Sequence, residues 1–332
     1  MRAALVIGII SMKLFFVGVA SLGADQFFEL FEGHALASEL TISLWDDDAE
    51  AGRSLMINGH STLVRPIKDA QWSDAELVVL AAPDIELDFV AKLPSNATVI
   101  DLYSNMPDDQ AELVIAGRDT LLKGTYYRSA EPVLLATYRF CEAVSTKLEP
   151  LRIHMAATLP ASIHDREGVE ALARETASLL NGIDSTQQFL DATLAFNALA
   201  QPVSVNDSGE SPLEALIADG ASQIFEDAEV SVSTVQVPMF HGTSVMLTME
   251  CQDKPTLKDL VPLIDRSPVL RYSLSTNAST QMMIGQSECL VSRVRVDPRV
   301  DQTLHVTLMF DEQRFGRAAN LLDLLATLVT KH

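Results

Sequence analysis

LFFVGVASLGADQFFELFEG, residues 14–33, reads as a strand that turns at once into a helix. LFFVGVA (14–20) is a short apolar run, and ADQFFELFEG (24–33) carries apolar residues at helical spacing before stopping on Gly33. Working outward, ELTISLW (39–45), AELVVLAA (75–82) and ATVIDLY (97–103) read as three further strands. Continuous apolar strands separated by amphipathic segments predict a parallel sheet covered on both faces. The first third is therefore expected to be an α/β, Rossmann-type nucleotide domain.

From Glu131 the pattern changes. EPVLLATYRFCEAVSTKL (131–148), REGVEALARETASLLNG (166–182) and LEALIADGASQIF (213–225) have helical length and periodicity, and VNDSGESP (205–212) reads as a polar loop. Four strands then follow at 230–240, 244–250, 290–296 and 303–310, and GRAANLLDLLATLV (316–329) reads as a last helix. Helices followed by alternating strands predict an α+β second domain on one antiparallel or mixed sheet.

Composition narrows the function classes. The chain has 332 residues, 48% of them hydrophobic, and 45 acids against 24 bases give a formal net charge of -21. Such a chain repels phosphate backbones and anionic bilayers, so neither nucleic acid nor membrane is expected as a partner. Cys141, Cys251 and Cys289 stand far apart, which argues against a disulfide framework and for a reducing cytoplasm. His154 and His164 are ten residues apart without an HExxH pattern, so no metal site is expected. At the N-terminus, AALVIGII (3–10) follows Arg2. Residues 1–11 are read either as an upstream extension before a start at Met12 or as a targeting segment with a cut near Ala24. Lys13 interrupts the apolar run, and a spanning helix wants about 20 unbroken apolar residues, so export or anchoring is not expected.

Four segments, GVEALARETASLLNG (168–182), LAFNALAQ (194–201), VQVPMFHGTS (235–244), and VSRVRVD (291–297) with DEQRFGRAANLL (311–322), resemble the aspartate-semialdehyde dehydrogenase family in order and spacing. TLPASIHDREGVEAL (158–172) is most similar to that family's Usg-like members. The resemblance implies two domains: a nucleotide domain of residues 12–127 plus 313–332, and a dimerisation-type domain of residues 128–312. It also implies a homodimer, amino-acid biosynthesis, and NADP or NAD as cofactor.

The family's chemistry needs a thiolate nucleophile, a histidine acid/base and an arginine for the substrate carboxylate. Its cysteine, in a motif like N-C-[ST], falls within YRSAEPVLLA (127–136), where Pro132 is favoured over Ser129 or Arg128 as the matching residue. Its R-[IV]-P-x-x-x-x-H-S pattern places Gln236 at the arginine and Thr243 at the histidine. An amide lacks the charged fork, and a hydroxyl does not cycle protons near neutral pH. His241, two residues from Thr243, is a partial stand-in if both lie on one strand face. Ser129 with His241 would make an acyl hydrolase, against which Ser129 is read as the cap of the helix begun by Pro132.

The cofactor match is vestigial: Gly18 and Gly23 persist, Ser21 stands where a middle glycine is usual, and Gly316 and Asn320 match a segment lining the nicotinamide pocket, with Arg317 intruding. Asp46, Asp47, Asp48 and Glu50 oppose the 2′-phosphate of NADP, though an aspartate there suits the ribose hydroxyls of NAD. The expectation is a non-catalytic dimerising or regulatory paralogue, with a related dehydrogenase as a further partner. The competing expectation is an NAD(P)-dependent oxidoreductase acting on an aldehyde or acyl phosphate with relocated catalytic residues.

Overall fold

The computed structural model describes residues 11–183, 189–190, 192–200 and 204–329, so the reading of residues 1–10 lies outside the described residues. The chain divides into two compact units, Met1–Ser129 with Ala318–His332, and Ala130–Arg317.

The first unit contains β1 (Met12–Val17), α1 (Leu22–Phe31), β2 (Leu40–Asp46), β3 (Ser54–Ile57), β4 (His60–Pro66), β5 (Leu77–Leu80), β6 (Thr98–Asp101), β7 (Glu112–Val114) and β8 (Tyr126–Ser129). They form one eight-stranded sheet, ordered β3-β4-β2-β1-β5-β6-β8-β7, parallel except for the antiparallel edge strand β3. One face packs Phe16 against Phe27 and Phe31 of α1 and against Leu321, Leu324 and Leu325 of the closing helix Asn320–Val329. The other face is covered differently from the expectation. Trp45, Trp72, Phe89 and Met106 pack there from strand and loop positions, with 3-10 turns at Trp72–Asp74 and Val90–Lys92 in place of α-helices. The β3–β4 hairpin was not read from the sequence, although its Asn58-Gly59 turn, with φ 48° and 77°, is the residue pair such a turn selects.

The second unit contains α2 (Pro132–Val144), β9 (Pro150–Leu159), α3 (Asp165–Leu180), α4 (Pro212–Ile224), β10 (Glu229–Gln236), β11 (Thr243–Cys251), α5 (Leu257–Ile264), β12 (Leu270–Ser273), β13 (Cys289–Val296) and β14 (Thr303–Phe310). Its mixed sheet is ordered β10-β9-β11-β14-β13-β12. Ile153, Met155, Ala157 and Leu159 of β9 alternate inward with Val245, Leu247 and Met249 of β11 and Leu304, Val306 and Leu308 of β14. Helix α2 lies on this face, where Thr137 Oγ1 is 3.2 Å from Met155 Sδ. The opposite face carries short polar groups: Thr158 and Ser244 hydroxyls 2.8 Å apart, His154 Nδ1 2.8 Å from Ser231 Oγ, and Thr248 Oγ1 3.0 Å from His305 Nδ1.

Candidate functional site

In the first unit the site position is the turn between β1 and α1. Gly18 has φ +88°, and a Cβ there would sit 2.6 Å from Ala82 Cβ and 2.8 Å from Ala82 N, so only glycine lets the turn cross the end of β5. Ser21 caps α1, accepting from Ala24 N at 3.0 Å, and Gly23 is buried in the first helical turn. The neighbouring Ala20 N–H donates to Asp46 Oδ2 at 2.9 Å. A carboxylate of the chain thus takes a donor at a helix N-terminus, the setting in which a phosphate is otherwise bound.

Beside this turn a cleft of about 710 Å³ opens at the carboxyl ends of β1, β2 and β5, where the strand order reverses. Open parallel sheets bind ligands at that position. Its lining carries Asp46, Asp47, Asp48, Asp84, Glu86 and Asp88 against Lys68 and Lys92, and Lys68 is paired to Asp48 at 2.6 Å. The residues present do not fit a 2′-phosphate: the near carboxylates repel it, and no arginine lines the cleft. Asn320 is also committed internally, its Oδ1 accepting from Ala116 N at 3.3 Å and its Nδ2 donating to Ser129 Oγ at 2.9 Å.

The second unit holds the three positions matched to family catalysis. Pro132 is the first residue of α2 and is buried. A Cβ on Gly316 would lie 2.5 Å from Pro132 Cβ and 2.6 Å from its Cγ, so ring and glycine are in direct contact. The cap of α2 is Glu131, which corrects the reading of Ser129 as the cap. Ser129 ends β8, and Arg128 in the same strand pairs with Asp108 at 3.2 Å. Gln236 donates from Nε2 to Pro160 O at 2.8 Å, with His164 Nε2 3.2 Å from its Oε1. Thr243 Oγ1 donates to Glu312 Oε2 at 3.2 Å.

His241 is not on a strand. Strand β10 ends at Gln236 and β11 starts at Thr243, with Gly242 at φ +94° between them. Pro238 and this left-handed glycine break the alternation that would have put His241 on the face of Thr243. Burial lowers the pKa of His241 and, more deeply in the fold, that of His164. All three cysteines are free and buried, and burial pushes the Cys141 thiol up to about 12 and the Cys251 thiol up to about 11. Neither supplies a thiolate at neutral pH.

Sequence reasoning missed the groups that organise this region. Glu312 has no exposed surface and accepts from Gly242 N at 3.1 Å, from Thr243 and from the Ser162 hydroxyl. Burial chiefly, offset by the Ser162 bond and reinforced by Asp311, pushes its carboxyl up to about 7. Gln313 Nε2 donates to Ser162 O at 2.8 Å. Arg317, read as an intruder, pairs with the buried Glu131 at 3.1 Å. The one available signal was the polar run Asp311-Glu312-Gln313-Arg314 directly after an apolar strand, which looks like a solvated turn. Among the described residues no three His, Cys, Asp or Glu side chains gather to hold a metal, and no helix is long and apolar enough to cross a membrane.

Comparison with known proteins places these geometries. The chain is 26% identical over 294 residues to a USG-1 protein homolog of Azotobacter vinelandii, covering 85% of this chain and 87% of that protein. It is 22% identical over 294 residues to aspartate-semialdehyde dehydrogenase 2 of Vibrio cholerae, covering 84% and 86%. A solved structure of a probable aspartate-semialdehyde dehydrogenase from Pseudomonas aeruginosa superposes with a TM-score of 0.87 at 23% identity, over 97% of this chain and 99% of that one. Residues 142–314 match the family described as semialdehyde dehydrogenase, dimerisation domain. With more than half of its length in that match and the two sheets described above, the chain belongs to the semialdehyde dehydrogenase family.

Proposed function

We propose that the protein is a catalytically inactive, dimerising member of this family. In this reading, residues 12–127 plus 313–332 are a nucleotide-type domain that has lost its preference for NADP, and residues 128–312 are the dimerisation domain. The observation that carries it is Pro132: a ring without a nucleophilic atom begins α2 and packs on Gly316. Gln236 and Thr243, at the arginine and histidine positions, are engaged with Pro160, His164 and Glu312. No arginine–carboxylate fork and no imidazole for proton transfer stand at these positions.

The test is turnover of aspartate semialdehyde with phosphate and NADP. No reduced cofactor should accumulate above the no-protein control, while a working dehydrogenase added to the same cuvette reacts at its normal rate. Turnover that persists through removal of host enzyme overturns the reading.

Dimerisation is assigned to the polar face of the second sheet, around His154, Ser231, Thr248 and His305. A sheet face with short, mutually bonded side chains is flat enough to meet its own copy across a two-fold axis. Light scattering at micromolar concentration should give twice the chain mass. Native mass spectrometry of a mixture with a related dehydrogenase then separates a homodimer from a mixed one. Three free, buried cysteines suit a reducing cytoplasm as the site of action.

A further inference from the structure

The eight-stranded sheet ends on β3, and among the described residues no strand pairs with its outer side. In the β3–β4 ladder Ile57 lies opposite His60 across the two-residue turn, and Leu55 lies opposite Thr62. Such a hairpin closes on a hydrogen-bonded pair, so Ile57 and Leu55 bond to β4. The N–H and C=O groups of Ser54 and Met56 therefore point away from the sheet. Further along, Gly52 N donates to Val64 O at 3.0 Å and Val64 N donates to Arg53 O at 2.8 Å, a bulge that confines the open edge to β3 itself.

Three features set this edge apart. Natural sheet edges are protected by lysine, proline or an inward charge, and Ser54-Leu55-Met56-Ile57 has none of these. Met56 and Leu63 are 63% and 49% exposed, and the ladder puts them on one face with Ser54 and Ser61. Residues 53–68 contain no aspartate or glutamate, in a chain of net charge -21. Copies of this acidic chain repel one another, and the hairpin adds no acid to that repulsion. It is also held in place: Gly33 N donates to Asn58 Oδ1 at 3.0 Å, and Asn58 N donates to Glu32 Oε2 at 2.9 Å.

We propose that this edge pairs, antiparallel and about a two-fold axis, with the same edge of a second copy. The open groups select the register. With Leu55 on the axis, Ser54 exchanges N–H···O bonds with the partner's Met56, and Met56 with the partner's Ser54, so every open group of β3 is used. An axis at Met56 sets Ser54 against the partner's Asn58, whose N–H is held by Glu32. An axis at Ser54 sets Met56 against the partner's Gly52, whose N–H is held by Val64. In the Leu55 register the two Met56 side chains are diagonal neighbours, each beside the Leu63 of its own hairpin. Arg53, paired with Glu50 in its own chain, stands opposite the partner's Ile57, next to the partner's Glu32. Two short strands bury less than the roughly 1,200 Å² of a stable interface, so the pairing is weak and concentration-dependent. It uses the first unit alone and is separate from the dimer assigned to the second.

The experiment is light scattering of the full chain from micromolar to submillimolar concentration, with amide exchange of the β3 peptide read by mass spectrometry at both ends. The micromolar mass reads the dimer of the second unit, and only its rise reads this contact. The mass should climb toward twice its micromolar value, and the β3 peptide should exchange several-fold more slowly at the high end. Met56→Lys, on an exposed side chain, should abolish both effects and leave the micromolar mass and Tm unchanged. With oxidised glutathione, Leu55→Cys should give a disulfide-linked pair of chains, whereas the native chain, whose three cysteines are buried, should not.

A constant mass overturns the proposal, as does a rise that survives Met56→Lys. Equal protection of β3 at both concentrations overturns it too, because a segment of the same chain, such as residues 1–10, would then cover the edge. Failure of Leu55→Cys to cross-link, while Met56→Lys still blocks the rise, overturns the two-fold register and points to the opposite sheet edge, β7, as the partner.

Discussion

Asp46 in the first unit and Glu312 in the second each accept main-chain N–H groups near a strand end, yet they sit in opposite surroundings. Asp46 takes Ala20 N and Asp47 N, both at 2.9 Å, at the mouth of an open acidic cleft. Glu312 takes Gly242 N at 3.1 Å together with two hydroxyls and reaches no solvent. Where water reaches the carboxylate, the same donors remain exchangeable for a ligand's anion. Where it does not, the carboxylate becomes part of the core and its proton is coupled to folding. The first unit therefore keeps an open cleft lined by carboxylates, and the second surrounds Glu312 with its own donors.

The sharpest test of the filled site is the buried pair behind Pro132. Arg317→Ala leaves Glu131 buried without its cation, and breaking such a pair costs about 3–5 kcal/mol. Urea denaturation should show that loss as a lower midpoint at unchanged slope. A cost below about 1 kcal/mol, in the range of a solvent-exposed ion pair, would break the contrast between the two units.

Glu312 should give the next largest effect, visible only as a pH dependence. Its folded-state pKa lies near 7, above the ordinary 4.5, so the folded state holds this proton more tightly than the unfolded one. The stabilising contribution is complete below pH 4.5 and is lost as pH rises to about 7. Integrated over that window, the loss is on the order of 3 kcal/mol. Glu312→Gln cannot titrate, so the stability of native protein minus that of the variant should fall across this window and level off above it. A flat difference from pH 4.5 to 7 would mean that water reaches Glu312 and that its proton is not coupled to folding.

What the sequence disclosed follows the same division. The βαβ start and the mixed α+β second sheet were legible because long apolar strands and helical periodicity repeat over many residues. Strand β9 was not, since its inward Ile153, Met155, Ala157 and Leu159 alternate with weak strand formers such as His154 and Ala156. Helix α5 was hidden by Pro262 within it. The replacements at Pro132, Gln236 and Thr243 came from resemblance to the family, whereas Glu312 carries no sequence sign of burial. Its environment is assembled from Ser162, Gly242 and Thr243, as far as 150 residues away. Local periodicity cannot report a contact of that range.

The smallest effect belongs to the open cleft, where Asp46→Asn tests whether a carboxylate stands in for a ligand. Asparagine has one acceptor oxygen, so it keeps either Ala20 N or Asp47 N but not both. The variant should lose about 1 kcal/mol of stability. Calorimetry should find native protein binding NADP no more tightly than NAD, since Asp46, Asp47 and Asp48 line the cleft together. Removing one of these charges lifts a repulsion worth about 1 kcal/mol at contact distance in water, roughly a fivefold change in affinity. The NADP-to-NAD affinity ratio should therefore rise by up to that factor in Asp46→Asn, while any bond from this carboxylate to a ribose hydroxyl of NAD is lost. Because a ratio of two ligands cancels general damage to the fold, it reads only what this carboxylate does to the two ligands, its charge and any such bond together. Native protein that binds NADP in the low micromolar range, tighter than NAD, would show that the acidic loop swings clear of the phosphate, and the proposed loss of function would then be confined to the second unit.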